Sequence, residues 1–130
     1  MYNQTALAAL TTSFNAVDEN IKIEAARALA KLSGKYSSDI LKLFNKSNTL
    51  EKPGLAWALT KSKSLTLEEL ISSLSDDESR QWITYMIGVQ GSSRHISEIE
   101  KLRRVDPEVY FAVTVLWKIM TSWIYNLKEY

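Results

Sequence analysis

The chain contains no cysteine and a single histidine, His95. Those two shortages remove thiolate nucleophiles, disulfide frameworks, Cys/His zinc sites and iron–sulfur ligand sets together. Proline is scarce at two residues and glycine at four, so neither a collagen-like nor a low-complexity disordered chain fits. An excess of one charge sign is also lacking: 16 basic and 15 acidic residues give a formal net charge of +1. A broad nucleic-acid footprint would need a basic excess gathered on one face. No basic leader followed by an apolar core opens the chain. Met1 to Leu10 reads MYNQTALAAL, too polar and too short for a signal peptide, which leads to the expectation of a cytoplasmic protein. The 130 residues are enough for one hydrophobic core and too few for two, so a single domain over residues 1–130 is expected.

What is present is a helical phrase that recurs at a nearly fixed period. Its copies open at Asp18, Asn48, Asp76 and Asp106, at intervals of 30, 28 and 30 residues. Each opens with an Asp or Asn suited to accept from the first free amides of a helix, then carries small and apolar residues at helical spacing. In the fourth copy Pro107 follows the cap at the first helical position, where its missing N–H costs nothing. In the second, Pro53 delays the helix, which is expected to start near that residue. A shorter amphipathic segment precedes each phrase, at roughly Gln4 to Phe14, Ser38 to Phe44, Thr66 to Leu74 and Ile96 to Leu102. Every period therefore reads as a helix pair, at approximately residues 4–33, 37–62, 66–90 and 94–127. Gly34, Lys61 to Ser64 and Gly91-Ser92-Ser93 supply the expected breaks between pairs.

The run Asp-x-x-Ile-Lys-x-x-Ala-Ala-Arg-Ala-Leu, from Asp18 to Leu29, resembles the second helix of the short HEAT-like repeats first described in phycobilisome lyases. The family pattern is Asp-Pro-x-Val-Arg followed by an Ala-rich segment. The match is strong in the first copy and at the opening of the fourth, fair in the third and weak in the second. It implies an all-α, right-handed α-solenoid of about four antiparallel helix pairs with a long C-terminal helix. The expected core comprises Ile21, Ala25, Ala28, Leu29, Leu41, Leu55, Leu59, Leu70, Leu74, Ile83, Ile87, Val109, Val113 and Leu116. The resemblance also implies a structural ladder, in which Asp18, Asp76 and Asp106 cap their own helices and Lys22, Lys52 and Arg80 bridge between repeats. Such motifs specify architecture far better than function.

Catalytic chemistry finds little material. His95 lies in the polar run Ser92-Ser93-Arg94-His95, where an exposed structural role is expected. The pairs Glu68-Glu69 and Asp76-Asp77-Glu78 fall in first turns of helices, where negative charge favours the helix dipole. No catalytic, cofactor-binding or metal-ligating residue is assigned, and no cofactor is expected.

In the geometry the resemblance implies, second helices line a concave face, and one column across them reads Arg27, Trp57, Tyr85 and Val115, beside Gln81, Phe111 and Lys118. Aromatic and Arg side chains of this kind anchor protein interfaces. Core placement of Trp57 and Tyr85 is the equal alternative. The segment from Val109 to Leu127 carries Phe111, Val115, Trp123, Ile124 and Tyr125 beyond what an inward face needs. A membrane span is disfavoured by Lys118 near its centre, since a charge at mid-bilayer costs about 3 kcal/mol. The surplus is expected to meet a second copy of the chain, a partner protein, or a groove of the chain's own solenoid.

The expected function is a non-enzymatic protein–protein interaction module, an adaptor or an inhibitor of the immunity type, binding through the concave face and the C-terminal helix. Its candidate contact residues are Arg27, Trp57, Gln81, Tyr85, Phe111, Lys118, Trp123, Ile124 and Tyr125, with a homodimer through the C-terminal helix. Nucleic acid and membrane are not expected partners. Two alternatives follow from the resemblance: a lyase subunit or chaperone for a tetrapyrrole-bearing protein, and a HEAT-like nucleic-acid binder using Arg27, Trp57, Tyr85 and the basic run Lys101, Arg103 and Arg104.

Overall fold

A computed structural model describes residues 2–62, 79, 81–83 and 123–124. Every regular element among them is helical, so the described part of the chain is all-α. Helix α1 spans Tyr2–Ser13, α2 spans Glu19–Lys46 and α3 spans Lys52–Thr60.

The end of α1 is written in three consecutive hydroxyls. Thr11, Thr12 and Ser13 each donate to the carbonyl four residues back, on Leu7, Ala8 and Ala9 at 2.8, 3.0 and 3.0 Å. Such back-bonding competes with the helical ladder. The chain then tightens: the amides of Phe14, Asn15 and Ala16 donate to carbonyls three residues back. Leu7, Thr11 and Phe14 form the buried stripe of this segment.

Asp18 starts α2 as the repeat phrase requires, in extended backbone, accepting from the Asn20 amide at 2.9 Å. The break expected at Gly34 takes another form. Gly34 stays inside α2, and the departure from helical geometry falls at Tyr36, with φ −117° and ψ 29°. Ser33 Oγ donates to Ala30 O at 2.7 Å. A Ser–Gly pair with a hydroxyl engaged on the preceding turn is a recognised cause of helix kinking.

The kink is a sharp reversal, as the polar contacts at the two ends of α2 demonstrate. A straight helix of its 28 residues would span about 42 Å. Yet Asn48, just past its C-terminus, donates through Nδ2 to Oδ1 of Asn15, just before its N-terminus, at 3.0 Å. The helix therefore folds back into two arms, residues 19–35 and 37–46. The break expected at Gly34 is thus a kink two residues later, at Tyr36.

The turn into α3 is capped reciprocally: the Glu51 amide donates to Asn48 Oδ1 at 2.9 Å, and the Asn48 amide to Glu51 Oε1 at 3.2 Å. Glu51 Oε2 also accepts from Asn15 at 2.7 Å, which joins the two turns. Helix α3 begins at Lys52 with Pro53 in its first turn, close to where the proline was expected to start it.

All residues from Lys52 to Leu59 are buried. A helix covered on all sides occupies the centre of a core. Around it one hydrophobic cluster joins Leu7 and Phe14 to Leu29, Ile40, Phe44, Trp82 and Ile83, and on to Trp123 and Ile124. The Phe14 ring stacks on that of Trp123, with centroids 5.8 Å apart and planes 26° from parallel. In an open solenoid each repeat touches only its neighbours. The contact of Phe14 with Trp123 instead joins the turn after α1 to a residue near the other end of the sequence, and the Trp123 ring is buried inside the chain.

Of the expected core, Ala25, Leu29, Leu55, Leu59 and Ile83 are buried, while Ala28 and Leu41 are half-buried. Ile21 is a correction, since it lies exposed beside α1. Leu70, Leu74, Ile87, Val109, Val113 and Leu116 lie outside the described residues.

Candidate interaction surface

The side chains singled out for partner binding divide sharply. Trp57, Gln81, Trp123 and Ile124 are inside the chain, at 1, 3, 2 and 4% exposure. For Trp57 the reason is the position of α3: a helix enclosed on all sides has no free concave face to offer. Trp123 and Ile124 are taken up by the core cluster. Their apolar area is therefore not available for a dimer contact. Arg27 is half-buried, with Nη1 3.3 Å from Glu24 Oε1 one turn earlier. Tyr85, Phe111, Lys118 and Tyr125 lie outside the described residues, as do His95, Asp76, Asp106, Arg80 and the basic run from Lys101 to Arg104. Base stacking on Trp57 is closed off by its burial, with Lys61 Nζ lying over the ring at 5.1 Å from its centroid.

Lys52, expected to be a bridging residue, is held by several polar contacts. Lys52 is 6% exposed, and its Nζ donates to Phe44 O, Ser47 Oγ and Ser79 Oγ at 3.3, 3.4 and 3.5 Å. It also lies over the Phe44 ring at 5.1 Å. Lys52 thus links α3 to Ser79 through a serine hydroxyl.

Where the sequence placed core, the structure places surface. Between α1 and the first arm of α2 runs a groove of about 570 Å³ lined by Leu10, Ser13, Asn20, Ile21, Glu24, Ala25 and Ala28. Among the described residues the exposed large apolar side chains are Val17, Ile21 and Leu50, at 97, 48 and 44% exposure, and Ile21 lines this groove. The sequence carried a signal for it. The first arm has two neighbouring apolar stripes, Ile21-Ala25-Ala28-Leu32 and Ala26-Leu29-Ser33, and only the second is fully covered. A smaller groove of about 230 Å³, on the other side of α1, is lined by Leu7, Leu43, Asp39, Lys42 and Lys46.

The larger groove is built for contact more than for chemistry. Its one hydroxyl, that of Ser13, donates to Ala9 O at 3.0 Å. Among the described residues no three His, Cys, Asp or Glu side chains gather as a metal site would require, and no helix is long and apolar enough to cross a membrane. Comparison with known proteins returns no match to a family model, to a curated protein or to a solved structure.

Proposed function

We propose that the chain is a non-enzymatic protein–protein interaction module, a small adaptor or inhibitor, whose contact surface is the groove between α1 and the first arm of α2. The observation that carries this reading is the exposure of Ile21 in a groove lined also by Leu10, Ala25 and Ala28. Water-exposed apolar area continuous with a concave lining is what a protein partner removes from solvent. Trp57 and Trp123, first considered for that task, are used in the core.

The architecture belongs to the same proposal. We take α1 with the first arm of α2 as one HEAT-like pair, and the second arm with α3 as the next. The Asp18 cap, the Asn48 cap and the Lys52–Ser79 bridge support that division. On this division the groove lies on the first pair, on the side that carries Ile21, and Phe14 of the same pair packs inward on Trp123.

The test is affinity capture of the full chain from its native source, comparing wild type with Ile21→Glu. Residue 21 is in the first turn of α2, where an acid suits the helix dipole, so the fold is retained while the groove becomes charged. Wild type and a Lys42→Glu control on the second arm recover a stoichiometric protein partner, and Ile21→Glu loses it. Equal recovery by all three, or repeated failure to recover any partner, refutes the proposal.

A further inference from the structure

The charges beside the groove run in a definite order. Asp18, Glu19 and Glu24 occupy the start of the first arm, Arg27 its middle, and Lys31 and Lys35 its end. Lys22 interrupts the acidic part, but it is half-buried, whereas Glu19, Glu24, Lys31 and Lys35 are exposed. Ile21, Glu24, Ala28, Lys31 and Lys35 are spaced alternately by three and four residues, so they share one side of the arm. At 1.5 Å per residue, Glu24 and Lys31 stand about 10 Å apart along it, either side of Ala28.

We propose that the occupant of the groove is a second copy of the chain, with the first arms of α2 crossing antiparallel about a two-fold axis near Ala28. This rests on reading the groove as an interaction face. A two-fold contact places the same surface against itself in reverse order. The acidic start of each arm then meets the basic end of the other, and Glu24 of one copy comes within reach of Lys31 of the second. A parallel arrangement would oppose like charges. The charge order is thus self-complementary in one orientation, the one that two-fold symmetry produces. At the centre, Ala28 lets the two backbones approach closely, while Ile21 of each copy loses its exposed area. The arm is about 25 Å long, which puts the interface at the small end of stable protein contacts, where micromolar dissociation constants are ordinary.

Sedimentation equilibrium of the full chain from micromolar to about millimolar concentration, the span of weak self-association, decides it. The wild type is a dimer at the upper end. Glu24→Lys and Lys31→Glu each oppose like charges across the axis and weaken self-association about tenfold or more, the loss that one close charge pair can produce. Mixed one to one, the two variants restore it, because each supplies the charge the other now needs. Circular dichroism and thermal melts of both variants match the wild type, since the substitutions are at exposed positions. A chain that stays monomeric throughout overturns the proposal, as does a dimer that neither variant weakens. If a monomeric chain still captures a partner lost in Ile21→Glu, self-association falls while the interaction face stands.

Discussion

Gly54 offers the sharpest stability test, because two well-understood effects predict opposite signs. Replacing a helical glycine by alanine ordinarily stabilises a helix by up to about 1 kcal/mol. At Gly54, however, a methyl group would fall within the ring of Phe14, and the three atoms nearest to it all belong to that ring. The ring has no room to retreat. Phe14 is fully buried, and it stacks on Trp123. Overpacking of this kind costs about 1–3 kcal/mol. With the helix gain subtracted, and reduced because Gly54 is in the first turn of α3, Gly54→Ala should destabilise the chain by about 1–2 kcal/mol. For a domain of this size that lowers the melting temperature by about 5 °C. The assay is thermal and urea unfolding of four proteins: wild type, Gly54→Ala, Phe14→Leu and the double variant. Leucine opens space beside residue 54, so the double variant should be more stable than the summed single losses by about 1 kcal/mol, the size expected of touching residues. A Gly54→Ala protein that melts at or above the wild-type temperature would refute the contact between α3 and Phe14.

Gly34 gives the opposite result: nothing lies within reach of an added methyl group and the residue is exposed within α2, so Gly34→Ala should stabilise by up to about 1 kcal/mol in urea unfolding. A loss there would mean that the glycine ends a helix after all. Trp123→Ala should cost about 3–5 kcal/mol, the range for removing a large buried aromatic, and it should leave sedimentation of the folded fraction unchanged, because Trp123 is committed to Phe14 and not to a second copy. Asp18→Ala should cost about 1 kcal/mol through the lost cap on Asn20, whereas Asp18→Asn should cost a few tenths or less, both read from melting curves.

Local instructions were legible in the sequence wherever a single residue type has one conformational use. Asp18 announced the start of α2, and Pro53 the late start of α3. The reversal was legible too, but its position was not. Gly34 is the stronger local breaker, and the neighbouring Ser33 hydroxyl and burial of Ser37 shift the departure to Tyr36. Burial was harder to read than helix, because a helical repeat tells which residues share a face and not how many faces are covered. Trp57 is internal because α3 is enclosed, and enclosure depends on segments distant in the chain, such as the one carrying Trp123. Ile21 reads as core by spacing, yet about half of it is exposed. The Pro53-Gly54 pair looked like a defect of the second copy, and in the structure Gly54 is the space into which Phe14 fits.

The interaction face is tested most directly by photo-crosslinking from Val17, which stands in solvent in the turn between α1 and α2. A photoreactive amino acid at residue 17 of the full chain, irradiated in the native cell, should yield discrete protein adducts, and Ile21→Glu in the same chain should abolish them. The same probe at residue 42, on the second arm, should yield none of those adducts. Absence of protein adducts from residue 17, or the same adducts from both positions, would contradict an interaction surface between α1 and α2.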